Sequence, residues 1–206
     1  MQKIQTVLRR DPDDMSRVLP EVTPGCEWVL AGEGVSTRKY DGTCTMLSAD
    51  GRWWARREVK PGKELPPGYE AVDTDPVTRK IVGWEPIDQS PFVKAFRDAL
   101  DERAQVVETV PGLAGRAVVW QAGTYELCGP KVNGNPERFE RHQLVRHADA
   151  EVIDMAEDLE AGGLPWTVDE VMHVVRWAGE RGWEGVVWHH PDGRMAKLKV
   201  RDLRHV

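Results

Sequence analysis

Five charged residues of this 206-residue chain stand in short, strand-like segments: Lys39, Glu126, Glu184, Lys197 and Lys199. Lys39 comes three residues before Gly42, so its side chain can project into a cleft while a glycine bend holds the backbone. Lys197 and Lys199 flank Leu198, which places both ammonium groups on one face of a strand. Burying two acids and three lysines in such strands is costly without a ligand or a metal ion. These five residues therefore predict a charged site that binds a ligand.

The motifs around these residues carry a family resemblance. In chain order they are KYDGTC at 39–44, WARREVKPGK at 54–63, YELCGPKVNGNPE at 125–137 and EGVVWHHPDGRMAKLK at 184–199. Their types and order resemble the covalent nucleotidyltransferases, which include ATP-dependent ligases and messenger-RNA capping enzymes. The motif sequences are most similar to those of a small family of ATP-dependent RNA ligases that join a 5′-phosphate to a 3′-hydroxyl. The resemblance covers about residues 26–202, which is nearly the whole chain.

The resemblance implies a three-step reaction. A lysine nitrogen attacks the α-phosphorus of ATP and expels pyrophosphate, which leaves a lysyl-AMP. The AMP then moves to an RNA 5′-phosphate, and an RNA 3′-hydroxyl finally attacks that phosphate and releases AMP. Lys39 matches the nucleophile. Since only about one lysine in 2,500 is neutral at pH 7 for a pKa of about 10.4, the site is expected to lower this pKa. A metal ion and two neighbouring lysines would do so by like-charge repulsion.

The resemblance also assigns roles to the other charged residues. Asp41 is expected to position the ribose or the reacting group, and Glu126 to accept a hydrogen bond from a ribose hydroxyl. Glu184 is expected to hold Mg²⁺ or Mn²⁺ through water, which is how magnesium usually binds to a carboxylate. Lys197 and Lys199 are expected to contact the α-phosphate and to neutralise its developing charge.

Two pairs of neighbours leave an alternative open, because side chains along a strand alternate between its faces. Val186 and Val187 are both candidates for the contact with the adenine face, and one of them must point inward. Arg56 and Arg57 match the phosphate- or RNA-binding segment after the nucleophile, where arginine binds phosphate in a planar fork. Only one of these arginines can face the site easily. Arg38 departs from the family pattern, since many RNA ligases carry an acid before the nucleophile.

Each of these residues also has a purely structural interpretation. Lys39 alone could be an exposed strand lysine beside a turn. Glu126 and Glu184 could each form a salt bridge with a neighbouring basic residue. Arg56 and Arg57 could be solvated surface residues. The presence of four motifs in the family's order favours the functional interpretation.

Composition places limits on the function. The chain has 28 basic and 34 acidic residues, a net charge of −6, and 40% apolar residues, as in ordinary folded proteins. An acidic chain argues against non-specific coating of nucleic acid, although residues 52–63 carry a local +4 that leaves room for a polyanion site. The three cysteines are widely spaced and no apolar run nears about 18 residues. The first residues also show no signal-peptide pattern, and together these features predict a cytoplasmic protein without membrane contact.

The sequence predicts mostly strands as the elements that position these residues, with helices only in the later part of the chain. Asp50–Gly51 predicts a hairpin turn, Ser90–Pro91 a helix start, and Thr167 with Glu170 a capping box. This order predicts an α+β fold of antiparallel β-sheets with packed helices. The resemblance makes it a nucleotidyltransferase domain, the ATP-grasp-like adenylation domain of ligases. We expect it to span residues 26–206, after an N-terminal arm or helix over 1–25.

We expect no C-terminal OB domain, since seven residues follow Lys199 in this sequence, and this expectation disfavours a capping enzyme or a clamp-like DNA ligase. The expected partners are RNA ends with a 5′-phosphate and a 3′-hydroxyl, and the expected cofactors are ATP with Mg²⁺ or Mn²⁺. Two alternatives remain at this point. One is a minimal ATP-dependent DNA ligase. An RNA ligase would differ from it by contacts to the 2′-hydroxyl, which DNA lacks. The other is a non-catalytic nucleotide- or RNA-binding regulator with the same fold.

Overall fold

The computed structural model describes residues 3–109, 118–155 and 164–204. These residues form a mixed α+β structure with mostly antiparallel sheets, which confirms the predicted fold class. They divide into two compact units. The central unit lies within Met1–Lys3 and Asp41–Asp149, and the terminal unit lies within Ile4–Tyr40 and Ala150–Val206. The assignment of residues 26–206 to one adenylation domain stays a prediction.

The main sheet of the terminal unit has five strands in the described part of the chain. Numbered along the chain, they lie in the order β1 (Gln5–Thr6), β13 (Met195–Lys199), β12 (Gly185–His189), β4 (Val35–Lys39) and β11 (Val152–Ile153). Neighbours are antiparallel except β1, which runs parallel to β13. The unit also holds a hairpin of β2 (Leu8–Arg10) and β3 (Val18–Val22), together with the helices α1 (Glu27–Leu30) and α3 (Val168–Glu180).

Helix α3 covers one face of this sheet. It begins at the predicted capping box, where the Thr167 hydroxyl accepts from the Glu170 amide and the Glu170 carboxylate accepts from the Thr167 amide. Its apolar residues recur every three or four positions and are fully buried: Val171, Val174, Val175 and Ala178. Alternate residues of two strands share that core: Val186, Trp188, Ala196 and Leu198. The residues between them therefore lie on the opposite face of the sheet.

The central unit is built on a six-stranded antiparallel sheet. Its order is β10 (Gln143–Arg146), β9 (Gly123–Cys128), β5 (Thr43–Leu47), β6 (Trp53–Val59), β8 (Ile81–Pro86) and β7 (Glu70–Thr74). The predicted hairpin turn joins β5 to β6, and Gly51 adopts the positive φ of +82° that favours glycine there. Helix α2 (Val93–Thr109) packs on one face, in a core that includes Ala55, Phe96, Ala99, Leu127 and Val132.

The sequence predicts an arm or a helix for the N-terminal segment. Its described residues form β1, β2 and β3 rather than a helix. Strand β1 pairs with β13 at Gln5 and Thr6, and the segment from Ile4 onward belongs to the terminal unit. Two-residue pairing of this kind leaves no hydrophobic pattern in the sequence. Within the described ranges, no helix is both long enough and apolar enough to cross a bilayer.

Candidate active site

The terminal unit brings two of the predicted lysines together across three neighbouring strands. Gly185 of β12 is the direct partner of Lys39 in β4 on one side and of Lys199 in β13 on the other. Direct partners in antiparallel strands share a face, and so do residues two apart along a strand. We call this surface the lysine face, and its members are Thr37, Lys39, Gly185, Val187, Lys197 and Lys199.

The carboxylate of Glu184 joins the two lysines. One of its oxygens accepts from Lys39 Nζ and the other from Lys199 Nζ. The side chains of Lys39, Glu184 and Lys199 are 17%, 9% and 15% exposed, so solvent screens this contact weakly. Burial acts to raise the pKa of Glu184, but the charges and hydrogen bonds of the two lysines outweigh it and hold that pKa below its ordinary value. Glu184 is therefore an ionised link between two cations.

Gly185 is required where the three strands meet. A Cβ at this position would lie 2.2 Å from the Leu198 carbonyl oxygen and 2.8 Å from Lys199 Cα, and the backbone φ is +156°. Glycine therefore allows β12 and β13 to approach closely. This approach sets Glu184, the preceding residue, within reach of lysines on both flanking strands.

Packing in the hydrophobic core determines which of Val186 and Val187 lies on the lysine face. Val186 is fully buried in the cluster beneath α3, so it lies on the face of the sheet away from Lys39 and Lys199. Val187 lies on the lysine face as the direct partner of Thr37 and Lys197, and it is 8% exposed. The candidate for an adenine contact is thus Val187.

Sequence reasoning missed two polar residues: Thr37, a member of the lysine face, and His189, which lies on the same face two residues after Val187. Thr37 Oγ1 donates to the Val187 carbonyl oxygen over 3.2 Å and lies 3.1 Å from His189 Nε2. The alternation from Lys39 back to Thr37, and from Val187 on to His189, is the signal that could have placed them.

Arg38, the departure from the family pattern, points elsewhere. Its guanidinium lies 4.3 Å from the ring centre of Tyr40 and 4.8 Å from that of Trp183. It also lies 3.6 Å from a carboxylate oxygen of Glu151. Because Arg38 is the direct partner of Val186, it lies on the opposite face of the sheet from Lys39.

In the central unit, Glu126 is held at both carboxylate oxygens. The amide of Gly42 donates to Oε1 over 3.1 Å, and His147 Nε2 lies 3.0 Å from Oε2. Glu126 is 9% exposed. A Cβ at Gly42 would lie 2.2 Å from the Leu127 carbonyl oxygen, so glycine permits the close approach of the two segments.

Asp41 is held by the loop that follows β9. Its amide donates to Glu137 Oε1 over 2.8 Å, and its carboxylate accepts from Asn133 Nδ2 over 3.3 Å. Asn133 has a φ of +46°, which asparagine tolerates better than most residues. The loop at 129–137 reads from sequence only as Gly-, Pro- and Asn-rich. The two residues with which it holds Asp41 were therefore missed.

The structure also separates Arg56 from Arg57. Arg56 lies on the same face of the central sheet as Glu126, since the Trp54–Met46 and Met46–Thr124 pairs connect their strands in register. Arg57 lies on the face of the central sheet that α2 covers. Its guanidinium is 2.5 Å from a carboxylate oxygen of Glu85, a residue that is only 2% exposed. Arg57 thus forms an ion pair with a buried acid, and Arg56 is the arginine on the face that bears Glu126.

We expect Arg57→Ala to destabilise the protein, because it leaves the Glu85 carboxylate buried without its cation. The loss should be about 2–3 kcal/mol, below the roughly 3–5 kcal/mol of a fully buried pair, since Arg57 is 45% exposed. Arg56→Ala is the matched control and should cost less than about 1 kcal/mol. Urea unfolding measures both, and equal losses would contradict the division between the two arginines.

Glu184, in contact with Lys39 and Lys199, is the candidate acidic ligand for a divalent ion beside the lysine face. Among the described residues, no three His, Cys, Asp or Glu side chains are grouped so as to hold a metal ion. Magnesium commonly uses one or two carboxylates, several waters and the phosphates of a substrate. Glu184 fits that mode, since its neighbours Lys39 and Lys199 are cations suited to the same phosphates.

The predicted site residues therefore fall into two groups. Lys39, Glu184 and Lys199 are in contact in the terminal unit, where Val187 and Lys197 share their face. The central unit holds Asp41, Glu126 and Arg56. Comparison of the chain with protein-family models and with curated proteins gives no match. Functional assignment thus depends on the contacts within each unit.

Proposed function

We propose that this chain is an ATP-dependent RNA ligase. It would seal RNA 5′-phosphate and 3′-hydroxyl ends through lysyl-AMP and RNA-adenylate intermediates. The observation that carries the proposal is the contact of Glu184 with both Lys39 and Lys199 on a face that also bears Lys197. A nucleophilic lysine beside phosphate-binding cations and one acid is the set that nucleotidyl transfer requires.

In the first step, the Nζ of Lys39 attacks the α-phosphorus of ATP. An N–P bond forms, the bond from that phosphorus to the bridging oxygen breaks, and pyrophosphate leaves. Lys39 must first lose a proton to water; the charge of Lys199 favours this loss, whereas the contact with Glu184 opposes it. A divalent ion held by Glu184 would add positive charge that favours neutral Lys39 and stabilises the departing pyrophosphate.

The remaining residues of the lysine face bind the nucleotide in this proposal. Lys197 and Lys199 neutralise charge that develops on the α-phosphate. Val187 packs against the adenine ring, because it is the apolar side chain on the same face. In the central unit, the resemblance assigns Glu126 to a ribose hydroxyl, Asp41 to positioning and Arg56 to a phosphate of RNA.

The later steps transfer AMP without a change of oxidation state. The 5′-phosphate of RNA attacks the α-phosphorus of lysyl-AMP, and the N–P bond to Lys39 breaks. The 3′-hydroxyl of a second end then attacks the activated phosphate and expels AMP. The same proposal assigns the fold to the adenylation domain of ligases and places the enzyme in the cytoplasm.

Self-adenylylation tests the proposal. The purified protein is incubated with ATP labelled at the α-phosphate and with Mg²⁺ or Mn²⁺, then denatured. We expect label on the chain, mapped by peptide mass to Lys39 and removed by added pyrophosphate. Sealing of matched RNA and DNA substrates then distinguishes an RNA ligase from a minimal DNA ligase. Absence of label from ATP, GTP and NAD, with prior adenylylation excluded by intact mass, would favour a non-catalytic binder instead.

We expect Glu184→Gln to slow label transfer by about 10²–10³-fold. Glutamine is nearly the same size but carries no charge, so the variant loses the acid proposed to hold the metal and leaves two lysines without their shared anion. The rate of labelling at several Mg²⁺ concentrations measures the effect. Glu180→Gln, an exposed acid at the end of α3, is the control and should match the wild type. A wild-type rate for Glu184→Gln would contradict its proposed role.

A further inference from the structure

His147 occupies a defined place beside Glu126 in the central unit. It follows β10 and begins a 3₁₀ turn, His147–Asp149. Its Nδ1 lies 2.8 Å from Thr124 Oγ1, and its Nε2 lies 3.0 Å from Glu126 Oε2. Thr124 and Glu126 are two residues apart in β9 and so share a face of the sheet. The imidazole thus spans two side chains of one strand.

These contacts determine the hydrogen-bond direction at the carboxylate. An ionised carboxylate only accepts, so Nε2 of His147 donates to Glu126. The Thr124 hydroxyl can then donate to the unprotonated Nδ1, which fixes the tautomer in the way a second partner commonly does for histidine. The Gly42 amide holds the other oxygen of Glu126. The plane of the carboxylate is therefore set from two sides, with acceptor capacity left for a further donor.

We propose that His147 is a positioning residue that orients Glu126 to select a nucleotide with a complete ribose. This inference rests on the proposed function, in which Glu126 accepts a hydrogen bond from a ribose hydroxyl. A buried carboxylate built to receive a hydroxyl rejects an analogue that lacks it, because the acceptor then stays unpaired. That discrimination requires an acceptor held in one orientation, and His147 with Thr124 holds it.

A merely structural role for His147 makes a different prediction. His147 also connects the end of β10 to β9, so its loss could lower stability. Lower stability by itself would not change the ratio of activity between two nucleotides that differ by one hydroxyl. The ratio is therefore the readout that separates the two roles.

The experiment compares labelling by ATP, 2′-deoxy-ATP and 3′-deoxy-ATP in the wild type, His147→Ala, His147→Gln and Thr124→Val. We expect the wild type to prefer ATP over at least one analogue by about tenfold or more in kcat/KM. In His147→Ala this preference should fall to about threefold or less, through a higher KM for ATP. Glutamine retains a donor and should restore part of the preference, and Thr124→Val should weaken it. His173→Ala, an exposed histidine on α3, should leave it unchanged.

Each other outcome overturns the inference, and one also overturns the function. If the wild type takes no label, the proposed function and the inference both fail. If the wild type takes label but does not discriminate between the nucleotides, the role of Glu126 fails while self-adenylylation stands. If His147→Ala is folded and keeps the wild-type preference, or only its melting temperature falls, the inference alone is wrong.

Discussion

Lys39→Arg should lose covalent labelling by ATP by about 10⁴-fold or more, the scale seen when an enzyme loses its nucleophile. A guanidinium stays protonated at pH 7 and has no free electron pair with which to attack phosphorus. It nevertheless keeps a positive charge beside Glu184, which is 9% exposed and would otherwise lose one of its two cations. The variant is therefore expected to fold and to bind ATP while failing in chemistry.

Labelling with α-phosphate-labelled ATP and ATP binding by calorimetry measure the two effects separately. Lys80→Arg is the matched control, since Lys80 lies at the surface of the central unit and pairs only with Glu58 among the described residues. It should label at the wild-type rate. Label on Lys39→Arg at that rate, or a modified peptide that lacks position 39, would show that Lys39 is not the nucleophile.

Gly185→Ala should destabilise the protein by about 4 kcal/mol or more, which is exceptional for one methyl group. The added Cβ would lie 2.2 Å from the Leu198 carbonyl oxygen, and a backbone atom cannot move aside as a flexible side chain can. The φ of +156° adds strain for any residue with a Cβ. Relief requires β12 and β13 to separate, which would also move Glu184 away from Lys199.

Chemical denaturation followed by tryptophan fluorescence measures this loss, because Trp188 of β12 is fully buried. Gly193→Ala is the control: Gly193 has a φ of +92° but nothing within 4 Å of its added Cβ. It should cost about 1–2 kcal/mol, from the backbone conformation alone. Equal losses for the two variants would mean that the close approach at Gly185 is not what requires glycine.

Local features of the fold could be predicted from the sequence because their causes lie within a few residues. The turn at Asp50–Gly51 depends on a positive φ at one glycine, and the start of α3 depends on Thr167 and Glu170 bonding each other. The N-terminal strand β1 was missed for the opposite reason. Its two residues take their hydrogen bonds from β13, about 190 positions away by their register, and no local pattern reports such a partner.

Alternation along a strand predicted that one of Val186 and Val187, and one of Arg56 and Arg57, would face the site. It did not predict which one, because alternation divides the residues between two faces without showing which face packs against the core. The packing of α3 over Val186 decides the first pair. The ion pair between Arg57 and the buried Glu85 carboxylate decides the pair of arginines, because it lies on the face that α2 covers.

The residues that hydrogen-bond Glu126 and Asp41 could not be predicted from the sequence. His147, Asn133 and Glu137 stand in turns or loops without periodicity, yet they hold Glu126 and Asp41. A histidine 21 positions from a glutamate carries no signal of contact in a single sequence. Their roles follow from the antiparallel pairing of β9 with β10 and from the backbone of the loop after β9.

By itself, the sequence determined the fold class, the turns, the helix cap and the identity of the charged residues that predict a nucleotidyl-transfer site. Tertiary structure alone decided which of those charges meet. Lys39 and Glu184 are 145 positions apart, and β4 and β12 bring them together in register around Gly185. The physical reason is that a buried charge requires an opposite charge within a few ångströms, and only the paired strands determine which one lies there.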